Sequence, residues 1–137
     1  MTPSLLTHRW PTLLALALVL VTFVDGLPPT GFLAALLVVM PLCYLVFGWA
    51  RAELRGRGAL GLQLAGLAGF GAVALLALPA PVVNAGWAPW VLAAGWYAHA
   101  AWDFFHHRSG AVVPRAWSEW CGVVDAAGAT AVVLLAL

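Results

Sequence analysis

Residues 30–58 read TGFLAALLVVMPLCYLVFGWARAELRGRG: twenty-one residues without a charge, then three arginines within seven positions. An α-helix needs about 20 apolar residues to cross the hydrocarbon core of a bilayer. The run at 30–50 meets that length, with Pro41 interrupting it, and the arginine-rich turn marks where it leaves the lipid.

Four further apolar stretches lie near 10–26, 59–79, 86–105 and 116–137. Turn-forming segments separate them: DGLPPTG (25–31), RAELRGRG (51–58), PAPVVNAG (79–86) and RSGAVVPR (108–115). The expected fold is therefore an all-α integral membrane protein. Residues 1–137 form one transmembrane domain, a five-helix bundle; four spans plus a re-entrant segment is the alternative. The short basic flank at His8 and Arg9 precedes an apolar run with no small-x-small cleavage site before Asp25–Gly26, which reads as a retained first span.

Composition agrees. Of 137 residues, 64% are hydrophobic and 8% charged, against about 25% charged in soluble domains. A net charge of +1 gives no sign of a nucleic-acid partner. All six basic residues are arginine, a bias of GC-rich coding that suggests a bacterial source. With the N-terminus cytoplasmic and the C-terminus outside, Arg9, Arg51, Arg55, Arg57, Arg108 and Arg115 all fall inside, as the positive-inside rule demands. The expected location is the bacterial inner membrane, crossed several times. Trp10, Trp49, Trp117 and Trp120 then fall near the inner interface and Trp87 and Trp90 near the outer one, as aromatic belts do. Trp96 and Trp102 lie within the fourth span and need another reason.

The third span carries Gly61, Ala65 and Gly69 at four-residue spacing, with Ala72 continuing the face. Small residues at this spacing let another helix approach closely, so the stripe is expected to be a packing seam. Gln63, in the same span, is expected to bond across to a neighbour. Cys43 and Cys121 read as buried free thiols. Asp25 reads as a solvated helix-end residue and Glu53 as an ion-pair partner of the arginines around it.

The chemistry concentrates in HAAWDFFHHR, residues 99–108. On a helix, His99, Asp103 and His106 fall within one narrow arc, flanked by Trp102 and His107. In the following span Ser118, Cys121 and Asp125 share one face. The connection is short, so the two helices should be antiparallel neighbours. A hairpin folded about Val112 sets Cys121 level with Asp103 and Asp125 level with His99. Isolated carboxylates in lipid cost about 3 kcal/mol each; they persist by pairing, by binding a cation or by lining a wet cavity.

Three readings follow. In the first, His99, Asp103, His106 and Asp125 hold a divalent metal, zinc or iron fitting best, with Trp96, Trp102, Ser118 and Cys121 around them or lining a substrate pocket. The second is a metal-free acid–base site. In the third, Asp–His pairs merely tie two helices together. On the first, the protein is a metal-dependent membrane hydrolase of a lipid-like or other hydrophobic substrate, with Asp103, Asp125 and His107 as catalytic candidates. The other classes are a proton- or metal-relay transport module and a structural or hydrophobic-ligand-binding subunit. Beyond the cluster only Gln63, Asn84, Thr130 and Asp25 are polar, which favours a one-sided pocket over a transport path. The bilayer is the expected partner, and a homo-oligomer is compatible with the sequence. There is no HExxH, GxSxG or CxxC motif, and four histidines are too few for the eight-histidine di-iron box.

The pattern His99-x-x-Trp102-Asp103-x-x-His106-His107, Pro114, Ser118-x-x-Cys121-x-x-x-Asp125 resembles small bacterial membrane proteins grouped as domain of unknown function 6010. The resemblance covers about residues 95–130. It implies a multi-span membrane protein and no particular activity. A looser analogy, in residue inventory alone, is to membrane amidohydrolases related to alkaline ceramidases, which set Ser, Asp and three His around a zinc.

Overall fold

Proline and glycine set most of the helix ends. In the computed structural model, which describes residues 8–78 and 86–137, the described residues form five α-helices and no strand. They are α1 (Trp10–Phe23), α2 (Thr30–Ala50), α3 (Arg57–Ala77), α4 (Ala88–Ser109) and α5 (Arg115–Ala136). Pro29 precedes α2, Gly56 precedes α3 and Pro114 precedes α5. α4 ends at Gly110, whose left-handed backbone (φ 66°) lets its N–H bond the His106 carbonyl at 2.9 Å. Asn84 and the 79–85 segment lie outside the described residues.

Helices α2, α3 and α5 are each long and apolar enough to cross a membrane. α1 has only 14 residues, about 21 Å at 1.5 Å per residue, because Gly26 (φ 105°) and the Pro28–Pro29 pair stop it early. α4 has 22 residues and continues four residues beyond the expected end at 105, carrying His106 and His107 on the helix itself.

α4 is the hub: it packs against α2, α3 and, most extensively, α5, while α1 lies on α5. Three cross-helix approaches fix the α4–α5 register. Asp125 meets His99, Gly122 meets Asp103 and Gly128 meets Trp96. All are centred near residue 112, as the hairpin expectation requires. Trp96 is buried, its indole N–H reaches the Leu33 carbonyl of α2 at 3.3 Å, and its ring lies over Gly128. This tryptophan therefore pins three helices together. Trp10, Trp49, Trp87 and Trp90 are exposed at helix ends.

The small-residue stripe of α3 behaves differently from expectation. Gly61, Ala65, Gly69 and Ala72 are exposed, and a Cβ on Gly61 or Gly69 would meet nothing within 4 Å. The close approach falls instead at Gly66, where a Cβ would stand 2.9 Å from the Trp102 ring. Four-residue spacing identified a face, but the neighbouring helix lies to one side of it.

At the end of the bundle that carries the α2–α3 and α4–α5 turns, Glu53 links the two connections. Its carboxylate accepts the Val112 N–H and pairs with Arg51 at 2.7 Å. Val112 is held left-handed (φ 69°), an uncommon state for a β-branched residue. Glu53 thus does more than the expected ion pairing with arginine. The Val112 N–H above all, with the Arg51 guanidinium adding to it, holds the Glu53 carboxyl below its ordinary 4.5. The stability it contributes is present above that value and is lost as pH falls through the lowered folded value. Thermal stability should therefore drop on acidification below pH 4.5, and Glu53→Gln should flatten that slope; an unchanged slope would contradict the tie.

Candidate metal centre

The two predicted polar faces meet. His99, Asp103, His106, Ser118, Cys121 and Asp125 are all at most 2% exposed. Within this set His99, Asp103 and Asp125 form a tight group whose candidate ligand atoms lie within 4.8 Å of one another. His99 Nδ1 is 2.7 Å from Asp125 Oδ2 and 3.2 Å from Asp103 Oδ2. Gly122 allows this convergence, because a Cβ there would stand 3.2 Å from the Asp103 Cβ.

Tyr44, on α2, completes the group. Its hydroxyl donates to Asp103 Oδ1, and its ring is fully buried against Val112 and Val113. The sequence reading passed over this residue. Its only signal was a phenol within an apolar span, a group that seeks a polar partner when buried. Which partner it finds depends on how α2 packs on α4, and helix periodicity carries no such information.

His106 faces elsewhere. Its Nδ1 lies 2.9 Å from the Trp102 carbonyl, so that nitrogen carries the hydrogen, and its Nε2 accepts from Gln63 Nε2 at 3.0 Å. Gln63 does bond across to a neighbour, as expected. The geometry gives His106 two protein partners and leaves it outside the three-residue group. His107 lies further out still: Nδ1 is 3.1 Å from the Arg115 carbonyl and 3.4 Å from Ser118 Oγ, and it borders a cleft with Ser118 and Glu119 on the α4–α5 flank. Glu119 accepts from Thr12 at 2.6 Å, tying α5 to α1. Cys121 is buried between the same helices and has no disulfide partner.

The hydrogen-bond accounts of the group do not balance. His99 Nδ1 offers one hydrogen to two carboxylates, while His99 Nε2 and Asp125 Oδ1 are buried without any partner. Two carboxylates and a neutral imidazole carry two negative charges, and even an imidazolium leaves one uncompensated. Unpaired buried charge costs several kcal/mol, so the group is balanced either by a proton held on one carboxyl or by a further cation. Carboxylate oxygen with imidazole nitrogen is a donor set suited to zinc, iron or manganese. These buried His and Asp residues can hold a metal ion.

No protein-family model, curated protein or solved structure matches the chain.

The Tyr44 contact gives a direct expectation. Tyr44→Phe keeps the ring and removes the hydroxyl, freeing Asp103 to turn. Loss of such an orienting partner lowers metal affinity about 10–100-fold, while helix content stays unchanged. Equal zinc affinity in wild type and variant, measured by competition with a chelating dye, would contradict it.

Proposed function

We propose that the chain is a five-span protein of the bacterial inner membrane, N-terminus cytoplasmic and C-terminus outside, whose His99, Asp103 and Asp125 bind a divalent metal, zinc or iron. The orientation rests on the arginine distribution, and a relation to the membrane proteins of domain of unknown function 6010 belongs to the same reading. The observation that carries the metal proposal is the excess of acceptors. Two carboxylates converge on one imidazole nitrogen, and two further acceptor atoms are buried with no donor.

We further propose hydrolysis of a lipid-like substrate as the activity this site supports best. A bound divalent ion supplies Lewis acidity and a more acidic water. Whichever of Asp125 and Asp103 is not itself a ligand is the candidate proton acceptor, and the Oδ1 of Asp125 is not committed to any protein donor. Asp103 is oriented by Tyr44. The surrounding aromatic rings of Tyr44 and Phe70 keep bulk water from His99. His107 can take part only from the neighbouring cleft.

A proton-relay module is the second reading. It draws on the continuous chain from the Tyr44 hydroxyl through Asp103 and His99 to Asp125. Elemental analysis of the purified, metal-reconstituted protein separates the two. The metal reading expects about one ion per chain in wild type, none in Asp103→Ala and retention in His106→Ala. A metal-free wild type would leave the relay.

A further inference from the structure

The end of the bundle that carries the α2–α3 and α4–α5 turns gathers charge that the metal reading leaves unused. Arg51, Arg55 and Arg57 flank the first turn, and Arg108 and Arg115 flank the second. The Glu53–Val112 hydrogen bond holds the two turns together. Glu53 is the single carboxylate of either turn, and it is spent on Arg51. Among the described residues the other four arginines have no carboxylate partner. Like charges gathered without partners make a patch of positive potential, which attracts anions.

Within this patch one arginine stands beside a shaped surface. Arg55 lines an open cavity of about 340 Å³ whose other walls are Trp49, Ala52, Leu54 and Leu60. The turn that carries Arg55 is fixed in place. The Glu53 N–H bonds the Gly48 carbonyl at 2.9 Å, and Ala52 is left-handed (φ 57°). The Leu54 side chain packs on Gly48, where a Cβ would stand 2.8 Å from it. Arg55 is exposed, so its guanidinium is open to a ligand, and Trp49 and Leu60 are exposed beside it. The cavity thus sets one free cationic group against apolar walls, where a membrane-length helix ends.

Those two features together select the occupant. A small inorganic anion would gain from the arginine and nothing from the indole and leucines. A zwitterionic head group brings its own cation, which the neighbouring arginines repel. A lipid of net negative charge uses both features. Its phosphodiester oxygens accept from the guanidinium, and its glycerol and upper chains cover Trp49, Leu54 and Leu60. Tryptophan favours this headgroup depth. We propose that the α2–α3 turn binds the head of an anionic phospholipid, with its phosphodiester on Arg55. The other arginines add a general pull on any anionic lipid nearby, while the Arg55 cavity fixes one molecule. This inference rests on the membrane-spanning part of the proposed function and is independent of the metal.

The test places the full chain in nanodiscs of equal parts phosphatidylglycerol and phosphatidylcholine, then releases it into a mass spectrometer that identifies the lipids it keeps. Wild type should keep one phosphatidylglycerol in preference to phosphatidylcholine. Arg55→Gln should lower that preference about fivefold, the equivalent of ~1 kcal/mol for one basic residue at an anionic surface, with the helical circular dichroism unchanged. Arg55→Lys should retain most of it. Leu60→Trp, which fills the cavity from its wall, should lower it as Arg55→Gln does. Arg57→Gln, outside the cavity, should lower it much less. An excess of inorganic phosphate should leave the lipid in place. No preference in wild type, or equal losses in Arg55→Gln, Arg57→Gln and Arg108→Gln, would overturn the proposal and leave a diffuse basic belt. Displacement by phosphate would overturn it as well, leaving a plain anion site. A chain that fails to enter the discs would overturn the membrane reading and this proposal with it, whereas one that enters without any lipid preference overturns this proposal alone.

Discussion

Asp125→Ala is expected to weaken zinc binding by at least about a hundredfold, beyond the 10–100-fold range for losing a supporting residue. Asp125 is the sole contribution of α5 to the three-residue group, and it makes the shorter of the two carboxylate contacts with His99, 2.7 Å. Without it, His99 and Asp103 remain as two groups on one helix, four residues apart. Such a pair on a single helix cannot surround an ion. The same change removes a buried negative charge, so stability need not fall with affinity. Calorimetry on zinc addition and a thermal melt without metal, run together, check this. A variant that loses stability while keeping its zinc affinity would reduce the Asp–His contacts to helix pairing.

The second large effect is steric. A Cβ on Gly128 would stand 2.5 Å from Trp96 Cζ3 and 2.8 Å from Cε3. Trp96 cannot yield freely, because it is 2% exposed and its indole is held by the Leu33 carbonyl of α2. Overpacking a well-filled core costs about 1–3 kcal/mol, and Gly128→Leu adds far more than one methylene. The melting temperature of Gly128→Leu should fall by about 5–10 °C or more, and Gly128→Ala should give a smaller drop in the same direction. Since Gly128 lies about one turn from Asp125, separating α4 from α5 there should also weaken zinc binding. A stable Gly128→Leu with normal binding would contradict the α4–α5 register.

Much of this was legible in the chain because one local rule governed it. Helical periodicity placed His99, Asp103 and His106 on one face and Ser118, Cys121 and Asp125 on another, and all six are buried. A short connection dictated an antiparallel hairpin, and the His99–Asp125 contact follows from its midpoint. What escaped were the choices made between helices. The Tyr44–Asp103 bond needs the packing of α2 on α4. His106 shares the predicted face but is drawn to Gln63 of α3, since one arc on α4 can address two different neighbours. The stripe Gly61, Ala65, Gly69 met the spacing rule for a seam, yet Gly66, one residue aside, receives Trp102. Periodicity reports a face; the identity of its partner comes from tertiary packing.

X-ray absorption on the zinc-loaded protein tests the central claim most directly, because His99, Asp103 and Asp125 predict a particular ligand shell. The expected spectrum shows only light nitrogen and oxygen neighbours at about 2.0–2.2 Å, with the scattering signature of a single imidazole. A sulfur shell at about 2.3 Å would transfer the ion to Cys121 or Cys43, and two imidazoles would bring in His106 or His107. Either spectrum, or a fully hydrated ion, would contradict the site.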